Sequence, residues 1–279
     1  MVLQNSNAFQ VLVNRIVLII NREFNVHILL SNDDGYHAPG LAALADALKK
    51  HHHQVSIVAP LDNKSGCGMG MSLRKPISVD ELSPSRFIVD GTPVDCVYLA
   101  LDTLIESPVD LVISGINNGA NMADDVLYSG TFAAAMEARR LNLPSIAMSV
   151  ASHNVSYYET AAHIATSLAS EIHRLEYRSL LSVLNVNVPD VPMSQLRGLK
   201  ATVSGERLAP VSPDELERDS VTGHRQFLLG AAGEFDRRKQ TKLTDFLAVE
   251  QGFVSVTPFS DKFESRAYIK DTQSWLDSL

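Results

Sequence analysis

Short apolar runs alternate along the chain with segments whose apolar residues recur at helical spacing. Val26-His-Ile-Leu-Leu-Ser31 is nearly continuous in apolar residues and predicts a strand buried on both faces. Asn32-Asp33-Asp34-Gly35 breaks it as a loop, and after Pro39 the positions Leu41, Leu44, Ala45 and Leu48 mark one helix face through Lys50. Val55 to Ala59 predicts the next strand, so the unit reads as strand, helix, strand with a right-handed crossover. The alternation continues with a helix over Thr92 to Leu104, a strand over Val109 to Ser114, an Ala-rich helix over Ser129 to Leu141 and a strand over Ser145 to Ser149. A longer helix over Tyr157 to Leu175 carries Ile164, Leu168, Ile172 and Leu175 on one face, and a strand over Ser182 to Val188 ends at Pro189. This order predicts an α/β fold, a doubly wound and mainly parallel sheet with helices on both faces.

Beyond Pro189 the character changes. Pro210 to Thr222 reads as a charged loop, while Arg225 to Leu229 and Gly252 to Thr257 read as strands with no long helix between them. They predict antiparallel C-terminal additions to the sheet with projecting segments, and Asp271 to Leu279 a short closing helix. At the other end, Val11 to Ile20 is apolar but interrupted by Asn14 and Arg15. It reads as a short extra strand or helix, or as a non-native extension, since it lacks the basic lead and small-residue cleavage site of a secretory signal. The expected organisation is an N-terminal extension over 1–25, a core over 26–190 and a completing C-terminal part over 191–279, together one domain.

The 279 residues hold 24 Lys and Arg against 32 Asp and Glu, a formal net charge of −8. That balance argues against duplex nucleic acid or an anionic membrane as partner, because the phosphate-neutralising surplus is missing. It leaves room for a small phosphorylated substrate bound at one local site. No apolar run reaches the length of a membrane span. Cys67 and Cys96 are the only cysteines, too few for a disulfide framework or a four-thiolate zinc site, and a reducing cytoplasm is the economical location.

Ligands of open α/β sheets sit beyond the carboxyl ends of the strands, so the loops that follow the strands carry the candidate chemistry. Three of them are polar and contain glycine: Ser31 to Gly35, Asp62 to Gly68, and Ser114 to Asn121. Adjacent Asp33 and Asp34 repel each other unless a cation neutralises them. A hard divalent cation, Mg²⁺ or Mn²⁺, accepts such carboxylates together with a hydroxyl from Ser65 and an amide oxygen from Asn117. Taken alone, Asp33-Asp34-Gly35 also suits an ordinary turn. Ser129 reads as a helix N-cap, and Gly130 and Thr131 behind it offer free backbone N–H groups to a phosphate; the two roles are compatible. Gly66-Cys67-Gly68-Met69-Gly70 does not sit between a strand and a helix as a dinucleotide fingerprint must, and reads as an active-site flap. His51-His52-His53 reads as a solvated helix end, and Cys96 as core.

Ile28 to Gly40, Val58 to Pro60, Asn63 to Gly66, Asp90 to Val97, Val112 to Asn121, Asp124 to Ala138, Leu184 to Pro189 and Thr244 to Pro258, taken together and in this order, resemble the survival protein SurE family of metal-dependent nucleotidases. The resemblance implies a Rossmann-like, three-layer α/β/α core and a C-terminal part used in oligomer contacts, hence a homodimer or homotetramer. It implies one divalent metal ion per subunit on Asp33, Asp34, Ser65 and Asn117, with Asp33 and Asp34 catalytic. It implies phosphate contacts from Asn121, Ser129, Gly130 and Thr131, of which Asn121 rests on the resemblance alone. The activity implied is hydrolysis of nucleoside 5′-monophosphates, with 3′-monophosphates and short polyphosphate as further substrates. The chain departs from the family pattern in residues 1–25, ahead of the first strand, and in Phe259-Ser260-Asp261, where a histidine is expected after Thr257-Pro258. The rival reading is a non-catalytic nucleotide sensor or assembly scaffold, which has no need of paired carboxylates facing a phosphate.

Overall fold

β1 (His27–Ser31) lies inside a sheet of nine strands and pairs in parallel with β2 (Gln54–Pro60) on one side and β5 (Leu111–Asn118) on the other. The computed structural model describes residues 26–172, 183–218, 220–229, 232–239, 242–260 and 269–277. Beyond β2 come β4 (Arg86–Val89), parallel to it, and β3 (Val79–Ser83), antiparallel at the edge. Beyond β5 come the parallel strands β6 (Ser145–Val150) and β7 (Val183–Val188), then β11 (Val254–Phe259), antiparallel to β7, and the short β8 (Leu199–Ala201). The chain runs from β1 to β2 in one direction and later to β5 in the other, so the strand order reverses between β1 and β5. That is where a crevice opens at the strand carboxyl ends.

Both faces of this sheet are covered, which is why the strands read as unbroken apolar runs rather than alternating ones. Ile28 and Leu30 pack with Leu41, Leu44 and Leu48 of α1 (Pro39–Lys50) and with Ile164 of α4 (Tyr158–Ile172). Leu29 points the other way, to Cys96 and Val97 of α2 (Pro93–Leu99) and Ala134 of α3 (Gly130–Glu137). Cys96 is fully buried, as expected of a core residue. His27 is buried too, with Nδ1 paired to Pro108 O and Nε2 to Ser56 Oγ, both at 2.8 Å.

The differences from expectation have local causes. The segment over Thr92 to Leu104 is α-helical to Leu99 and widens into a π turn over Ala100–Leu104. The strand expected to end at Ser114 continues to Asn118, because Gly115 has no side chain where Met148 O stands 2.2 Å from a Cβ position. The charged loop at Pro210 to Thr222 contains β9 (Asp214–Arg218), paired antiparallel with β10 (Arg225–Leu228). Every residue of both strands is exposed, so no apolar alternation announces β9, and the ribbon stands apart from the main sheet instead of extending it. Of the three histidines at the end of α1, His51 and His52 are exposed, whereas His53 is buried and its Nδ1 accepts from Val26 N at 3.4 Å. α5 (Asp245–Glu250) and α6 (Ile269–Leu276) complete the described elements. Among the described residues no helix is long and apolar enough to cross a membrane. The run Val11 to Ile20 and the expected helix beyond Ile172 lie outside the described residues.

Candidate active site

Asp33 follows β1 at the reversal point and is almost wholly buried. Its Oδ1 accepts from Thr131 Oγ1 at 2.5 Å, and its carbonyl accepts from Lys64 N at 2.7 Å. One residue therefore joins the loops after β1 and β2 to the N-terminus of α3. Asp34 is half-buried, and its Oδ2 accepts from Asn118 N at 3.1 Å, which ties the same turn to the end of β5. Asn32 Nδ2 donates to Gly35 O at 2.8 Å and closes the turn from inside.

α3 begins as the spacing predicts. Ser129 Oγ accepts from Phe132 N at 3.0 Å, an N-cap that satisfies one of the free donors of the first turn. A Cβ on Gly130 would stand 2.7 Å from Asp33 Cβ, 2.9 Å from Asp33 Oδ2 and 3.0 Å from Cys67 Sγ. The helix start and the carboxylate are thus in direct contact across the crevice.

Asn117 is buried at the end of β5, and its Nδ2 donates to Gly119 O at 2.8 Å, which leaves Oδ1 as its acceptor. Ser65 lies exposed in the loop that Lys64 fastens to Asp33, its N–H donating to Asn63 Oδ1 at 2.7 Å. The glycine run after it is tied at several points. Gly68 N donates to Tyr128 O at 3.0 Å, Thr92 Oγ1 to Gly70 O at 2.7 Å, and Ser72 N to Asp95 Oδ1 at 2.9 Å.

Asn121 is held further along the sheet. Its N–H donates to Asn187 Oδ1 and its Nδ2 to Ser149 Oγ, both at 2.8 Å, while its carbonyl accepts from Asn185 and Asn187. The two asparagines of β7 are a site support that the sequence reading passed over. Their signal was two polar residues inside an otherwise apolar buried strand, Leu184-Asn-Val-Asn-Val188. Asp245 and Arg207, which reach the same loop from the C-terminal part, were missed as well.

Burial pushes the Asp33 carboxyl above its ordinary range, and the Thr131 hydroxyl and the backbone N–H groups of Gly130 and Thr131 offset part of the rise. Asp34 is raised by burial first, with the neighbouring Asp33 charge adding to it and Asn118 N–H opposing it. Two carboxylates penalised in this way are suited to a cation. Among the described residues no three His, Cys, Asp or Glu side chains gather to hold a metal. A cation here would complete its shell with neutral oxygens, which favours a hard ion over zinc. Burial, then the charge of Asp33, also pushes the Cys67 thiol up, so it is a poor nucleophile near neutral pH.

A family model described as Survival protein SurE matches residues 28–210. The chain belongs to the SurE family. A 5′-nucleotidase SurE of Methylococcus capsulatus is 43% identical over 252 residues, covering 90% of this chain and 98% of that protein. One of Legionella pneumophila (strain Paris) is 47% identical over 232 residues, covering 83% of this chain and 89% of that protein. Among solved structures, the crystal structure of the SurE protein from Aquifex aeolicus superposes with a TM-score of 0.77 at 35% identity, covering 90% of this chain and all of that one. The SurE family match takes in Asp33, Asp34, Ser65, Asn117, Asn121 and the Ser129 to Thr131 turn, and stops short of Asp245.

Proposed function

We propose that this chain hydrolyses nucleoside 5′-monophosphates to nucleoside and phosphate, with one Mg²⁺ or Mn²⁺ per subunit. The observation that carries the reading is the contact between the Asp33 carboxylate and the N-terminus of α3, the proposed cation site against the proposed anion site. The names of the relatives, 5′-nucleotidase SurE, agree with it.

Asp33, Asp34, Ser65 and Asn117 are the proposed metal ligands. A divalent cation held there would neutralise phosphate charge and lower the pKa of a water molecule. One of the two carboxylates takes the proton of the attacking water. The backbone N–H groups of Gly130 and Thr131, which also face the Asp33 carboxylate, the Ser129 hydroxyl and the Asn121 amide are the proposed contacts to the phosphoryl oxygens, where charge develops as the ester bond breaks. Nucleoside 3′-monophosphates and short polyphosphate are proposed as secondary substrates.

Residues 26–190 form the proposed catalytic core and 191–279 the part that completes the sheet and makes contacts between subunits, giving a homodimer or homotetramer in the cytoplasm. The exposed Leu216, Phe227 and Leu228 on the β9–β10 ribbon support that assignment.

Phosphate release from 5′-AMP, 5′-GMP and 3′-AMP, with Mg²⁺ or Mn²⁺ and with EDTA, tests the proposal. Release that stops with EDTA and returns with metal is the expected result. Saturable nucleotide binding by folded protein with no release under either metal would overturn it in favour of a sensor.

A further inference from the structure

The segment between β5 and α3 leads directly into the proposed phosphate-binding turn, and it is held from the C-terminal part of the chain. Ala123 sits in the left-handed region at φ 51°, a conformation that costs a residue with a side chain and persists only where its surroundings enforce it. Asp245, 1% exposed, accepts from Ala123 N at 2.9 Å with Oδ2, and from Gly205 N and Phe246 N, each at 2.8 Å, with Oδ1. Two residues further on, Asp125 receives a two-pronged grip from the Arg207 guanidinium, at 2.9 Å from Nε and 2.5 Å from Nη2. Arg207 also donates to Gly233 O at 2.9 Å and stacks 4.8 Å over Phe246. It therefore joins the stem of the β9–β10 ribbon to this segment.

We propose that Asp245 and Arg207 are positioning residues for phosphate binding, holding residues 122–129 so that the N-terminus of α3 is presented to the phosphoryl group. The inference rests on the function proposed above. The proposed metal ligands lie in the loops after β1 and β2 and at the end of β5, upstream of Met122, so these two residues hold the anion half of the site directly and reach the cation half only through the contact of Asp33 with the start of α3. Asp245 accepts three backbone N–H groups, and an amide in its place turns a donor toward one of them. Loss of the Arg207 grip frees Asp125 and with it the 3-10 turn over Ala123–Leu127.

The test uses the full-length chain with Asp245→Asn, Arg207→Ala and Arg207→Lys. Binding of inorganic phosphate to the Mn²⁺-loaded protein is measured by calorimetry, Mn²⁺ binding by electron paramagnetic resonance, and KM and kcat by phosphate release. The phosphate dissociation constant and KM are expected to rise together by about ten-fold or more in Asp245→Asn and Arg207→Ala. Mn²⁺ affinity should fall by much less than phosphate affinity. Arg207→Lys, which keeps the charge but not the planar fork, should fall between. A purely structural role would lower the melting temperature and scale kcat with the folded fraction while leaving KM and phosphate affinity untouched. That pattern, an equal loss of Mn²⁺ affinity, or a wild-type protein that binds no phosphate would overturn the proposal. If Asp245→Asn does not fold, the partly exposed Arg207 pair decides alone. The phosphate titration requires no turnover, so it is read separately from failure of the nucleotidase reading.

Discussion

Asp33 occupies the space that a side chain on Gly130 would need. The carboxylate and the helix start touch so closely that a Cβ at position 130 would lie 2.7 Å from Asp33 Cβ, and they are fastened by Thr131 Oγ1 donating to Asp33 Oδ1. The two lie 97 positions apart in the chain, yet the proposed cation and anion sites share this contact. Because φ at Gly130 is not in the left-handed region, the demand for glycine there is one of room alone.

Gly130→Ala should separate the two halves. Overpacking of this kind costs about 1–3 kcal/mol. Turnover should fall further than stability implies, by roughly a hundred-fold, since a displacement near 1 Å is enough for that. Denaturant unfolding and steady-state kinetics on the same preparation check both.

Thr131→Val removes the hydroxyl that donates to Asp33. A buried carboxylate left without that donor costs about 1–3 kcal/mol. The hydroxyl lowers the Asp33 pKa, so its loss pushes an already raised carboxyl higher. The stability deficit should therefore grow as pH rises through the folded pKa of Asp33 and shrink as pH falls and the carboxyl protonates. Unfolding curves at neutral and mildly acidic pH would show a constant deficit if this account were wrong.

Asp34→Asn should abolish turnover and yet stabilise the metal-free protein. The folded pKa of Asp34 lies above its ordinary value, so its neutral form is the one the fold favours. That stability is present below the unfolded pKa and is lost as pH rises through the folded pKa. An amide keeps an acceptor for Asn118 N–H and carries no charge. The gain in melting temperature should be greatest at neutral pH. Mn²⁺ at a hundred times its dissociation constant should stabilise wild type by about 2.7 kcal/mol and leave Asp34→Asn nearly unchanged.

Phe227→Glu with Leu228→Glu should lower the oligomeric state, measured by light scattering on the eluting peak. Both side chains are exposed on the ribbon, so the protomer fold gains no buried charge from the change. An unaltered mass would remove the ribbon from the assembly interface.

Much of the core was legible along the chain, for a physical reason. A strand covered on both faces must be apolar almost throughout, and Val26 to Ser31, Ser145 to Ser149 and Ser182 to Val188 show it. β9 carried no such mark, because a ribbon exposed on both faces buries nothing. On it Glu215 pairs with Arg218 and Arg225, which hold the Glu215 carboxyl down at about 2.

By itself the sequence determined the alternating α/β order, the polar loops at the strand carboxyl ends and the Ser129 cap, all set by residues near one another in the chain. The tertiary structure alone decided that Asp33 meets Gly130 and Thr131, that Asn185 and Asn187 hold Asn121, and that Asp245 holds Ala123 across 122 residues. Local patterns record which face a residue buries. Which distant groups meet on that face is settled only when the strands take their order and most buried donors and acceptors are driven to pair.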